Sequence, residues 1–312
     1  MEHKRLQNRI AESRWTLSTL VATALVVWAI AGMGDHRLWL SILCLVLSTY
    51  LMVELNNANT LIRIYSRMVS GSFLLLATVC MFQLTSYTSS IAILCMAGFY
   101  TSLFRTYQDE SAPGWVFYAF VCWGFASVVW VQALFFLPAL WLLMGLLLRA
   151  WSARNFCASL LGLLLPYAVV AAVLSVRGDI ARLGDHFVLM AHFTTVFDYT
   201  ALSIQQLTSL AFAVVCGLIG GIHFLRKSHN DNIRTRQFYY FFIIIDVLTL
   251  CYLCVQPSQY EALLGILIVN TSPLIGHYVA LTHTKWTNLT FLSLSTVASL
   301  LILYNVVSEF IR

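Results

Sequence analysis

An aspartate interrupts an otherwise apolar run, Phe241-Phe242-Ile243-Ile244-Ile245-Asp246-Val247. At the centre of a bilayer a carboxylate costs about 2.5 to 3.5 kcal/mol on insertion scales, so Asp246 needs a partner or must be neutral. The next apolar run carries Asn270, Thr271 and Ser272. Consecutive spans are antiparallel, which brings these residues to a similar depth and predicts an interhelical hydrogen bond from Asp246 to Asn270 or its neighbours. The functional reading is a proton or ion relay. The simpler one is a neutral, hydrogen-bonded aspartate that fixes helix packing, and the absence of a second acid in an apolar run favours it.

A second group lies in segment 177–206, where Asp179, Asp185, His186, His192 and Asp198 accompany Arg177 and Arg182. Such acids could deprotonate a sugar hydroxyl, with Arg177, Arg182 and His186 holding a lipid phosphate. The same residues would also form the solvated face of a helix lying in the interface, its Ile180, Leu183, Phe187, Val188 and Met190 turned to lipid. Adjacent and six-apart spacing of Asp185, His186 and His192 lacks the one-turn geometry of a helical metal site, and no metal is expected. Cys251 and Cys254 have a redox spacing but sit inside an apolar run with no electropositive surroundings. Glu54, Asn56, Asn57 and Asn59 end another run and read as a polar turn joining two helices. No Walker loop, dinucleotide fingerprint, zinc-protease motif or nucleophile elbow occurs, and no cofactor is predicted.

These residues must be held by elements that a soluble fold does not supply. Sixty per cent of the 312 residues are apolar and only 10% are charged, against about a quarter charged in soluble domains. All eight cysteines fall in or beside apolar runs, where a thiol is a small hydrophobe. A helix of about 18 residues rises about 27 Å, enough to cross the hydrocarbon core, and helices satisfy their own backbone there. The predicted class is all-α: one polytopic helix bundle over residues 1–312, with spans near 15–32, 38–53, 68–84, 88–104, 114–131, 134–148, 156–176, 207–225, 239–255, 262–281 and 289–307. The run 114–148 is too long for one span. It is divided at Gln132-Ala133, which leaves Pro138 in the first turn of the second helix, where proline is tolerated.

Charge tests the division. With the N-terminus inside, fourteen of the 18 Lys and Arg residues fall in inner segments, and only Arg37, Arg177, Arg182 and Arg312 fall outside. Cytoplasmic loops carry this excess of basic residues. Merging the doubtful hairpin would put the downstream clusters on the opposite side from the upstream ones. Eleven spans, with the C-terminus outside, are therefore expected, in the inner membrane of a bacterium. The basic residues are scattered beside spans rather than gathered in a patch, so nucleic acid is not an expected partner.

Two stretches carry a resemblance. One joins Leu55-Asn56-Asn57, Leu61-Ile62-Arg63, Arg67-Met68-Val69-Ser70, Tyr107-Gln108-Asp109, Pro138-Ala139-Leu140-Trp141 and the run from Ala158 to Tyr167. The other joins Ile233 to Tyr240, Ser272-Pro273-Leu274-Ile275-Gly276-His277-Tyr278 and Thr287-Asn288. Together they resemble uncharacterised inner-membrane proteins of Bacteroidota. The basic turns at Arg63, Arg105 and Arg149 to Arg154, with Leu160-Leu161-Gly162 and Pro166, are more distantly similar to the GT-C superfamily of lipid-dependent glycosyltransferases. That similarity implies a catalytic acid in an outer loop, for which Asp35 is the match after the first span, and a polyprenyl-phosphate-linked sugar as substrate.

Three functions compete. The first is a non-enzymatic scaffold or subunit in envelope assembly, in contact with membrane lipids and protein partners. The second is a glycosyltransferase using Asp35, Asp179, Asp185 or Asp198 as base; it requires an outer cavity where an acid and an arginine converge. The third is a proton-coupled secondary transporter working through Asp246, with Asn270 as a further intramembrane polar residue, which requires a hydrated path to Asp246.

Overall fold

The computed structural model describes residues 5–30, 38–191, 196–200 and 202–311. Among them there is no strand, and the helices are α1 (Leu6–Glu12), α2 (Thr16–Ile30), α3 (Leu38–Asn59), α4 (Met68–Val79), α5 (Tyr87–Leu103), α6 (Pro113–Val129), α7 (Leu137–Leu146), α8 (Ala153–Arg177), α9 (Ala181–Val188), α10 (Ile204–Lys227), α11 (Ile233–Val255), α12 (Tyr260–Leu281) and α13 (Lys285–Ile311). Each of the eleven apolar runs has become a helix. Seven are long and apolar enough to cross a membrane: α3, α5, α8, α10, α11, α12 and α13. The pair α1–α2, bent by 90° at its break, would make an eighth. The helices α4, α6 and α7 are shorter; the first is continued by a 3-10 turn, Met81–Thr85, and the last is preceded by one, Val131–Phe136. Several apolar helices make this a multi-pass membrane protein.

The hairpin break falls earlier than Gln132-Ala133. Trp130 carries it, in extended conformation at φ −141 and ψ 94, while Gln132 and Ala133 belong to the 3-10 turn. The Trp130 indole explains the shift: it donates to Gln259 Oε1 at 2.7 Å and stacks on Tyr252, so the chain must leave helical geometry there. Pro138 stands in the first turn of α7. Lacking an N–H, it cannot bond the carbonyl four residues back, so the α-helix does not extend through Leu134 and tighter turns take over.

The helix α12 is the axis of the bundle. Apart from Glu261 and Leu281 every residue of it is buried, with α4, α5, α10 and α11 packed around it. A second ring sets α3 on α5, α6 on α5, α8 on α6 and α2 on α4, and α13 lies outermost. Backbone-to-backbone approach needs residues without side chains: a Cβ on Gly220 of α10 would sit 2.5 Å from the Leu274 carbonyl carbon, and one on Gly162 of α8 would sit 2.4 Å from Phe117 O.

The connections collect in two groups. At one end Arg105 pairs with Glu54 at 3.2 Å, Arg234 donates to Asn59 Oδ1, and Asn8 donates to Thr282 O. At the other, Ser86 donates to Glu261, Trp130 to Gln259 and Tyr199 to Cys254 O. The first group contains the segments rich in Lys and Arg.

Candidate functional site

Asp246 lies on α11, 6% exposed, between α10 and α12. Its partner is Thr271, whose Oγ1 stands 3.4 Å from each carboxylate oxygen, a long and weak contact. Asn270 is engaged elsewhere: the Tyr100 hydroxyl of α5 donates to its Oδ1, and its Nδ2 has no partner. Successive residues on a helix point about 100° apart, so Thr271 and Asn270 cannot both face α11. The depth of this contact was readable from the chain; the rotation of α12 was not. Asp246 lines none of the three cavities described below.

The outer-loop residues do not converge. Arg182 pairs with Asp179 one turn away at 3.1 Å, both on the surface. Asp185 and Arg177 are exposed, and Asp198 accepts from Thr200 two residues on. Asp35 and His192 lie outside the described residues. Only His186 joins a cavity: its Nε2 lies 3.1 Å from Ser127 O and its ring neighbours Tyr167. That cavity, of 660 Å³, is lined also by Gln132, Gln206, Gln259 and Glu261, and by none of Asp179, Asp185, Asp198, Arg177 or Arg182. Glu261 is its one acid, accepting from Ser86. Sequence reasoning passed over it; the amide-rich link Gln256-Pro257-Ser258-Gln259 before it was the available signal. The helix α9 forms where an interfacial helix was expected and buries none of its residues.

The remaining candidates act as links. Asn56 donates to Ser66 O, Asn59 accepts from Arg234 and Glu54 pairs with Arg105, so this turn ties helix ends together. Cys251 and Cys254 are exposed free thiols. Among the described residues no three His, Cys, Asp or Glu side chains are grouped as metal ligands.

A further cavity, of 680 Å³, was not anticipated. It lies between α2, α4, α10, α12 and α13, with Arg9 and Ile10 of α1 at one end and Phe212, Leu76 and Ile302 farther along. Four of its hydroxyls are spent on backbone carbonyls: Thr16 donates to Ile10 O, Thr19 to Thr16 O, Thr23 to Thr19 O and Ser299 to Ser295 O. The wall is mostly apolar. The arrangement exists because α1 is pinned under the bundle, Gln7 Nε2 donating to Val279 O and Thr282 Oγ1, while α13 touches its neighbours thinly.

The chain matches no protein-family model, no curated protein and no solved structure. The resemblances to the Bacteroidota proteins and to GT-C enzymes therefore rest on their motifs alone.

Proposed function

We propose that this chain is an eleven-span protein of the bacterial inner membrane, with its N-terminus inside and its C-terminus outside, and that it is a non-enzymatic component of envelope assembly whose working feature is the cavity beside α2 and α13. The basic residues of the first end group support the orientation. One observation carries the function: the cavity of 680 Å³ is an apolar slot bordered by α2 and α13, both of which expose hydrocarbon, while Asp179, Asp185, Asp198, Arg177 and Arg182 line no described cavity. Its 680 Å³ is within the range of small-molecule pockets, about 300 to 1,000 Å³. The hydrocarbon chain of a membrane lipid is the occupant that such a wall fits, and Arg9 at its end suits an anionic headgroup.

The test is retention. Protein washed extensively in detergent should keep lipid in stoichiometric amount by mass spectrometry, and Ser299→Trp, which fills the slot, should lose it. Washed wild-type protein that keeps no more lipid than Ser299→Trp would defeat the reading. The glycosyltransferase alternative now depends on Asp35. Transport through Asp246 retains one observation in its favour, an acid in mid-span with a single weak partner. Proton uptake into proteoliposomes that is lost in Asp246→Asn would move the function there.

A further inference from the structure

At the basic end of the bundle a small cavity of 180 Å³ is enclosed by four elements. The helix α10 brings His223 and Lys227, the turn after it Asn230 and Asp231, α12 His277 with Thr282 just past its end, and the α3–α4 connection Arg63. His277 is 1% exposed. Its Nε2 lies 3.0 Å from Asp231 Oδ2, and the Asp231 side chain is itself only 4% exposed. Phe224 and Tyr239 press on the ring, with centroids 5.2 and 4.9 Å away, and fix its orientation. The other nitrogen, Nδ1, is buried and has no hydrogen-bond partner. Arg63 Nη1 donates to Asn230 O at 3.0 Å and lies 3.9 Å from Asp231 Oδ1. Arg63 and Lys227 against Asp231 leave the cavity one positive charge in excess before either histidine takes up a proton.

We propose that this cavity binds a phosphate group, with His277 Nδ1–H as its buried donor. Asp231 holds the Nε2–H and so decides which nitrogen faces the ligand. A neutral ring held so offers only a lone pair at Nδ1, whereas an imidazolium donates at both nitrogens. Arg63 and Lys227 add the charge that a phosphate needs. Basic pockets between spans on the cytoplasmic side receive phosphate headgroups in this way. The phosphate can belong to a lipid of the adjacent leaflet or to a small solute. This site lies on the side of α12 away from the lateral slot, since Ile275 and Val279 line the slot and His277 lines this cavity. It does not depend on that slot being occupied.

The experiment uses the full chain in nanodiscs of phosphatidylcholine, titrated with inorganic phosphate, and in nanodiscs doped with phosphatidic acid, both followed by phosphorus NMR at one neutral pH. Saturable binding of free phosphate places a soluble phosphate in the site; binding of phosphatidic acid alone makes it a headgroup site. Either supports the proposal if binding weakens about tenfold or more in Lys227→Gln, whose side chain is exposed, and also weakens in His277→Gln. The proposal is overturned if neither ligand binds, or if binding is equal in wild type and Lys227→Gln. Wild-type affinity in a folded, monodisperse His277→Gln protein also overturns it.

Discussion

Replacing Gly220 with alanine should loosen the bundle at its axis. A Cβ there would lie 2.5 Å from the carbonyl carbon of Leu274, 2.6 Å from its oxygen and 2.7 Å from the nitrogen of Ile275. These are backbone atoms of α12, a helix held on every side, so no rotamer change relieves the contact. Ordinary contact begins at 3.4 Å, which leaves α10 roughly 0.9 Å to retreat. A gap of about 0.5 to 1 Å forfeits a quarter to a half of the dispersion energy of the atoms along it, and an overpacked methyl costs about 1 to 3 kcal/mol. Gly221 provides the control, because a Cβ there meets nothing within 4 Å. Wild type, Gly220→Ala and Gly221→Ala are purified in one detergent and heated through a series of temperatures, and the monodisperse fraction is read by size exclusion. Gly220→Ala should lose half of that fraction several degrees below wild type, and Gly221→Ala should match wild type. Equal behaviour of wild type and Gly220→Ala, or equal losses in both variants, would refute the backbone contact between α10 and α12.

Three further outcomes are expected. A phosphatase fused to the C-terminus should be active; a well-expressed but inactive fusion would mean an even number of spans. Asp246→Asn removes a buried carboxylate and keeps a group that can pair with Thr271, so its heat midpoint should equal or exceed that of wild type, and a clear fall would show that the acid itself holds α11 to α12. Asn305→Ala removes the bonds from α13 to Val79 O at 2.6 Å and to Ser209 Oγ at 3.3 Å, at a cost of about 1 to 3 kcal/mol. Because α13 walls the lateral slot, lipid retention should drop together with the heat midpoint, and retention at the wild-type level would separate the two.

Hydropathy made the eleven helices legible, since each had to be apolar along most of its length. What it left out are relations between helices. His277 and Asp231 are 46 residues apart, and nothing in either neighbourhood announces the other; only the packing of α12 against the turn after α10 makes them a pair. Arg182 and Asp179 were readable as charges of opposite sign one turn apart, but their role as phosphate clamp and base depended on a cavity that the fold does not put there. Trp130 shows the same limit at short range. Its position at the break follows from Gln259 and Tyr252, which belong to helices far along the chain.

The helix at the axis also reverses the usual expectation that the most apolar segment is the most buried. The best window of α12 has a mean hydropathy of 1.5 and is wholly buried, whereas that of α8 reaches 2.3 with 28% buried and that of α13 1.8 with 11% buried. Lipid is as apolar as any side chain, so a helix facing it must be hydrocarbon all round, while a helix surrounded by other helices can carry groups that bond to them. Asn270, Thr271, Ser272 and His277 all stand on α12, and Tyr100, Asp246 and Asp231 meet three of them from α5, α11 and the turn before α11. A cluster of small and polar residues in a span of middling hydropathy therefore marks the axis of such a bundle. The slot beside α13 follows from the same rule. A helix so little held by polar contacts, with Asn305 as its main anchor, leaves room between itself and the core that only hydrocarbon can fill.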